Sequence, residues 1–165
     1  MKQVEAIRKK IYSLNQLQHF VIALKTIGKT VAFTNGCFDI LHEGHIFSLS
    51  QAAKEADFLI VALNTDKSVK KLKGDERPIN NEQSRSLLIA SLIMVDAVVL
   101  FDEDTPLQVI STLLPDVLVK GGDYTVEQIV GSKEVIANGG RVVINPIIEG
   151  FSTTGIINHI KKSYS

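Results

Sequence analysis

The chain has 165 residues, 45% apolar and 22% charged, the make-up of an ordinary globular domain able to bury roughly 70% of its unfolded surface. Eighteen basic residues cancel eighteen acidic ones, so no global field draws the protein to nucleic acid or to a membrane, and an anionic ligand must be held by local charge. The apolar runs FLIVAL and AVVLF fall far short of a membrane span of about 20 residues, and the single cysteine, Cys37, excludes an internal disulfide or a Cys-x-x-Cys site. The basic N-terminus lacks an apolar stretch of signal-peptide length, so the expected residence is cytoplasmic.

A single domain over 1–165 is expected, with 1–28 as an N-terminal helical extension. In that extension Ser13 and Gln16 stand in capping-box spacing, Leu14, Leu17, Val21 and Leu24 form one apolar stripe, and Gly28 closes the helix. A strand over 30–36 (TVAFTNG) leads to a helix over about 43–56 that turns Ile46, Leu49, Ala53 and Ala56 to a core. A second strand, 57–64, precedes a short helix, DKSVKKLKG, ending at Gly74. A longer helix starts at Asn80 or Asn81 within NNEQSRSLLIASLIMV. Strands over 96–101, 116–121 and 141–146 then alternate with helices near 105–114, 126–138 and 153–162. The strands are short, rich in β-branched residues and bounded by Gly, Asp, Asn or Pro, as strands buried on both faces should be. Alternation of this kind predicts βαβ units with right-handed crossovers and a five-stranded, largely parallel sheet. Ligands of such sheets bind beyond the carboxyl ends of the strands, which selects the loops after Asn35, Asn64, Phe101, Lys120 and Asn145.

The first of these loops is TNGCFDILHEGH, Thr34 to His45. Asn35-Gly36 makes a turn whose amides can face an anion, and Gly36 admits close approach to the backbone. The next helix begins near His42 to Gly44, so its free N–H groups and positive dipole end point into the same crevice. His42 and His45, at i and i+3, share a face of that first turn. Two imidazoles and a helix N-terminus suit a phosphate group. A metal held by the His pair with Asp39 as third ligand, or histidines that only cap and pack the helix, are the alternatives. A dinucleotide fingerprint is absent, because only Gly36 and Gly44 are present, eight apart.

NGCFDILHEGH resembles the G-x-F-D-x-x-H-x-G-H signature of the nucleotidyltransferase superfamily, which includes cytidylyltransferases and pantetheine-phosphate adenylyltransferase. The resemblance implies a Rossmann-like three-layer α/β sandwich of the nucleotidyltransferase fold. It also implies that His42 and His45 hold nucleotide phosphates and stabilise the transition state at the α-phosphorus, with Thr34, Asn35, Gly36, Phe38 and Gly44 around them. After the second strand, Asn64 and Asp66 open a segment with five cations in eleven residues, Lys67, Lys70, Lys71, Lys73 and Arg77. Lys67 reads as solvated. Lys73-Gly74 and Arg77-Pro78 match the family's loop over the triphosphate best, which makes Lys73 a catalytic candidate beside the histidines. Arg85, one turn into an apolar helix, either covers its surface with an aliphatic stem or, as in the family, approaches the nucleotide or a dimer contact. KGGDY, with Lys120, Gly121, Gly122 and Asp123, resembles a family loop beside nucleotide and substrate. Ser152, Thr153 and Thr154 present three hydroxyls at a helix start where one suffices for a cap, and they resemble a phosphate-binding Ser-Thr-Thr motif. Cys37 reads as a small buried side chain, not a nucleophile.

The order of motifs from Gly28 to Lys162, including FTNGCFDILH, RPI, VKGGDY and GSKEV, is most similar to superfamily members that adenylylate heptose 1-phosphate. Glycerol-3-phosphate cytidylyltransferases usually carry an arginine ahead of the Ser-Thr-Thr, where this chain has Ile147-Ile148-Glu149-Gly150. The resemblance therefore implies ATP and a sugar phosphate, D-glycero-D-manno-heptose 1-phosphate, as substrates, giving ADP-heptose and pyrophosphate. The expected cofactor is Mg²⁺ bound mainly through substrate phosphates, with no metal ligands on the protein. The expected assembly is a homodimer or larger homo-oligomer. No kinase domain precedes the motifs in this sequence, so a separate heptose 7-phosphate kinase is expected upstream. A nucleotide-binding regulator without turnover is the non-enzymatic alternative, and a scaffold pairing through the Leu14–Leu24 stripe is a third.

Overall fold

A computed structural model describes residues 4–148 and 150–163. The chain runs through α1 (Val4–Arg8), β1 (Ile11–Tyr12), α2 (Leu14–Thr26), β2 (Val31–Gly36), α3 (Glu43–Ala53), β3 (Phe58–Asn64), α4 (Asp66–Lys73) and α5 (Glu82–Ala90). It continues through β4 (Ala97–Phe101), α6 (Leu107–Leu113), β5 (Val117–Gly121), a 3-10 turn at Val126–Gln128, α7 (Ser132–Ala137), β6 (Arg141–Asn145) and α8 (Thr153–Ser163).

The sheet has six strands in the order β1-β4-β3-β2-β5-β6, not the expected five, and every described pairing is parallel. The extra strand lies in the segment expected to be wholly helical. Ile11 and Tyr12 pair with Val98 and Val99, and the Val98 N–H donates to the Lys10 carbonyl at 2.8 Å. Two residues carry no period, so only tertiary pairing reveals them. The 126–138 helix is likewise broken into the 3-10 turn and α7, and α5 stops at Ala90 although the apolar run continues to Val95.

Apolar residues cover both faces of the sheet, which is why the strands read as continuous hydrophobic runs. On one face Leu17 and Val21 of α2, Ile110 and Leu113 of α6 and Val135 of α7 pack on Phe33, Ile60, Val99 and Leu118. On the other, Leu49 and Ala52 of α3 and Ile89 and Ala90 of α5 pack on Ala32, Leu59, Val61, Val98 and Val119. Each fully buried Leu, Ile or Phe contributes about 1.5–3 kcal/mol of transfer free energy. The Ser13 capping box forms as the spacing predicts, with the Gln16 N–H donating to the Ser13 side chain. Asp96 and Asp116 accept the N–H groups of Leu59 and Val31 at 2.8 Å, which ties the start of each strand to its neighbour.

From β2 the chain steps outward to β3 and β4, and then returns to place β5 on the other side of β2. The two crossovers leave the sheet in opposite directions and part at the carboxyl ends of β2 and β5. A crevice opens there, as expected for a doubly wound sheet.

Candidate active site

The crevice has a volume of about 750 Å³, within the range of small-molecule sites. Its floor is the end of β2, with Thr34, Asn35 and Gly36, beside Asn64 of β3 and Lys120 and Gly121 of β5. Gly36 is required sterically. Phe38 has φ 47°, a conformation unusual for a bulky side chain, and its ring folds back to within 2.9 Å of where a Cβ on residue 36 would stand.

That ring begins a row of four, in which the Phe38 ring is tilted at 58° to His45 and the other three are stacked. Phe38 lies 5.1 Å from His45, His45 lies 3.7 Å from His42 at 20° between planes, and Phe151 follows at 6.4 Å from His42. Gly44 makes the stack possible, because a Cβ there would meet both His42 Nδ1 and the Phe151 Cβ at 3.1 Å. His42 is the N-cap residue of α3 in position but makes no side-chain cap. The Nδ1 atoms of both histidines are buried with no partner among the described residues. The His42 side chain thus does not cap the helix, although both imidazoles pack against other rings, and such orphaned polar atoms cost free energy until a partner pairs them. Burial lowers the His42 pKa below its ordinary value, and burial followed by repulsion from His42 pushes His45 down to about 4. Both imidazoles are therefore neutral at pH 7, and an arriving anion would draw protons to them.

Asp39, the third residue of the metal alternative, is committed elsewhere. It is 1% exposed and accepts the Ile79 and Asn80 N–H groups at 2.8–2.9 Å and Arg77 Nε at 2.6 Å. Burial would raise its pKa, but the Asn80 and Ile79 amides and the Arg77 guanidinium outweigh it and hold the carboxyl below the usual range. No group of three or more His, Cys, Asp or Glu is arranged for a metal among the described residues.

The five-cation segment divides. Lys67 pairs with Asp102 at 2.8 Å, which agrees with its reading as solvated, and Lys71 pairs with Asp104 at 2.9 Å. Lys70 lies off the crevice wall; Lys73 and Arg77 line it. Of the predicted phosphate clamp, then, two cations face the site, one of them braced by Asp39.

At the opposite rim Ser152, Thr153 and Thr154 line the crevice at the start of α8. The three hydroxyls are not equivalent. Ser152 Oγ accepts the Gly155 N–H at 2.9 Å and so caps the helix, while Thr153 Oγ1 donates to the Ile40 carbonyl at 3.3 Å.

Four predicted residues do not reach the wall. Arg85 is fully buried, and its guanidinium donates to the carbonyls of Cys37 at 2.7 Å and Asn80 at 3.0 Å and to the Asp66 carboxylate at 2.8 Å. It ties together three segments that border the crevice, each guanidinium nitrogen making one of these bonds, and as a fully buried residue it is not a surface cover. Asp66 is held as its partner, and its own N–H donates to Glu82. Gly122 gives its N–H to the Asn145 carbonyl at 3.2 Å and turns the chain so that Tyr124, not the exposed Asp123, lines the crevice. Phe151 and Tyr124 also line the crevice; Phe151 has no sequence reading, and Tyr124 has one only as the end of the KGGDY loop. Phe151 stands directly before a helix cap, a position usually filled by an apolar staple to the helix, and here it turns to His42. Cys37 is half-buried on the wall, and burial raises its thiol pKa against the pull of Lys73, Arg85 and Arg77.

Fold and site together define a class: an α/β protein with a crevice at the sheet's reversal point lined by two histidines, Lys73, Arg77, Lys120 and the Ser152–Thr154 hydroxyls. Residues 33–159 match the cytidylyltransferase-like family model, and the chain belongs to that family. It is similar to the bifunctional protein HldE of Caulobacter vibrioides, 55% identical over 148 residues, covering 90% of this chain and 31% of the relative. Similarity to HldE of Citrifermentans bemidjiense is 52% over 155 residues, 94% of this chain and 32% of the relative. The chain thus spans about a third of the length of these curated relatives. Among solved structures, a lipopolysaccharide core biosynthesis protein from Thermoplasma volcanium GSS1 superposes with a TM-score of 0.59 at 31% identity, covering 73% of this chain and 98% of that one. A pantoate-beta-alanine ligase from Francisella tularensis shares the fold alone, with a TM-score of 0.58 at 15% identity over 92% of this chain and 76% of that one. No helix among the described residues is long and apolar enough to cross a membrane.

Proposed function

We propose that the protein transfers the adenylyl group of ATP to a sugar 1-phosphate, D-glycero-D-manno-heptose 1-phosphate, giving ADP-heptose and pyrophosphate. The observation that carries this reading is the stacked His42–His45 pair, whose buried Nδ1 atoms lack partners at the N-terminus of α3. The similarity to HldE proteins over most of this chain supports the choice of substrate.

The acceptor's phosphate is already ionised at pH 7, so no general base is needed. One of its oxygens attacks the α-phosphorus of ATP in line; that P–O bond forms as the bond to the β-bridging oxygen breaks, and pyrophosphate departs as an anion. The chain's task is to position the phosphates and offset their charge. His42 and His45 hold the α- and β-phosphates, and Lys73, Arg77 and the hydroxyls of the Ser152–Thr154 segment hold the departing pyrophosphate. The crevice carboxylates are poor metal donors, since Asp39 is saturated and Asp104 is paired with Lys71. Mg²⁺ would therefore be held mainly through substrate phosphates, and would supply charge neutralisation there. A heptose 7-phosphate kinase is the expected upstream enzyme, and a homodimer or larger homo-oligomer is the expected assembly.

Pyrophosphate release with Mg²⁺ tests the reading, using ATP and CTP each against heptose 1-phosphate and glycerol 3-phosphate. Release with ATP and heptose 1-phosphate alone is expected. Release only with CTP would replace it with a cytidylyltransferase, and nucleotide binding with no release in any pair would make the protein a nucleotide-binding regulator.

A further inference from the structure

Phe151 is a large apolar side chain that joins no core. It is 42% exposed and belongs to neither hydrophobic cluster. Gly150, at φ 88°, turns the chain just before it, and α8, which follows, has no buried residue among those described. What the ring does meet is His42, at 6.4 Å between centroids and 21° between planes, within the range of a favourable aromatic pair.

The imidazole pair lacks the usual means of orientation. A functional histidine is commonly fixed by a hydrogen bond at one ring nitrogen, which leaves the other for chemistry. Neither Nδ1 has such a partner among the described residues, and His42 makes no side-chain cap. Ring contacts are what remains. His45 lies between Phe38 at 5.1 Å and His42 at 3.7 Å, so neighbours hold it from both sides. His42 has His45 as its inner neighbour in the row and Phe151 as its outer one. Gly44 lets the two close together, since a Cβ there would meet His42 Nδ1 and the Phe151 Cβ, each at 3.1 Å.

Charge gives the outer neighbour its purpose. A phosphate group draws protons to both rings, and two imidazolium rings 3.7 Å apart repel each other. His45 is backed by Phe38, so the displacement falls on His42, which only Phe151 backs in the row. We propose that Phe151 is a positioning residue for the transfer reaction, the outer bookend that holds the His42 ring beside His45 in the orientation that meets the nucleotide phosphates. The inference rests on the transferase reading above and adds to it a residue that acts through His42 and not on a reacting atom. It also joins the two sides of the crevice, because Phe151 immediately precedes the Ser152–Thr154 hydroxyls. Seating the start of α8 and aligning His42 then become one event.

The test is a double-mutant cycle of Phe151→Ala with His42→Ala, read as kcat for pyrophosphate release and KM for ATP, with thermal midpoints alongside. Phe151→Ala alone should lose about 10- to 100-fold in kcat, the scale of a misplaced catalytic group, with KM for ATP held within about threefold. In the His42→Ala background the same substitution should change kcat by less than about twofold, because the ring it positions is gone. Phe151→Tyr keeps the flat face and should stay within about threefold of the wild type. An equal loss in both backgrounds shows that Phe151 acts on something other than His42, and a rise confined to KM for ATP puts its ring against the nucleotide; either overturns the assignment. If Phe151→Ala fails to fold, Phe151→Leu, apolar but without a ring, decides through the same cycle. If the wild type turns over no sugar phosphate, the transferase reading falls by itself, and proton NMR of His42 on addition of ATP becomes the readout. An ATP-induced shift lost in Phe151→Ala and kept in Phe151→Tyr retains the positioning role, while equal shifts in all three proteins, or none in the wild type, overturn it.

Discussion

Replacing Arg85 with methionine separates two roles that one arginine near a nucleotide site can have. The guanidinium is fully buried and donates to the Cys37 and Asn80 carbonyls and to Asp66. Methionine fills much of the same volume but leaves both carbonyls without a donor, at about 1–3 kcal/mol for each orphaned buried acceptor. The Asp66 side chain is 34% exposed, so water re-solvates its carboxylate and that pair adds little. The expected loss is about 3–5 kcal/mol, the middle of the range for two orphaned buried acceptors. In a domain of this size it lowers Tm by about 6–20 °C. Thermal and urea unfolding followed by circular dichroism reads this directly, with ATP affinity measured at a temperature where the variant is folded. The three loops that Arg85 ties border the crevice, so ATP affinity should fall only modestly, through loop mobility. A variant with wild-type Tm and ATP binding weakened more than tenfold would refute this reasoning and return Arg85 to the nucleotide.

Further outcomes follow from the crevice itself. His45→Ala should lose on the order of 10²–10³ in turnover while keeping its fold, and near-normal turnover would remove the imidazole from the chemistry. Because His45 sits at about 4 when folded against an ordinary 6.5, the unfolded chain binds the proton first on acidification. Its contribution to stability should therefore decline as pH falls from 6.5 towards 4 and level off below. Proton NMR of the imidazoles should show the low titration in the free protein and an upward shift when phosphate or ATP binds. Lys73→Ala should raise KM for ATP, whereas Lys71→Ala should leave it within about twofold and change stability by less than about 1 kcal/mol, since its pair with Asp104 is exposed. Equal effects of the two substitutions would show that the charge of the whole segment matters, not the position of one lysine.

Much of the site was legible because its signals are local. A strand end, a glycine and two histidines three residues apart determine, through helix geometry alone, that both imidazoles share one turn. The capping spacing of Ser13, and a hydroxyl cluster at a helix start, are local in the same sense. Alternation of apolar runs with helical patterns likewise determined the parallel α/β architecture, because strands buried on both faces have no other way to be connected. What the chain order could not carry are pairings between distant segments. Arg85 looks the same in sequence whether it meets a phosphate or the carbonyls of Cys37 and Asn80, and only the folded loops choose. Ile11 and Tyr12 become a strand only because β4 offers an edge, and Phe151 joins the histidine stack across more than a hundred residues. Which lysines are paired was decided the same way, by whether Asp102 and Asp104 came within reach of Lys67 and Lys71. Charge pairing depends on distance in space, which sequence separation does not encode.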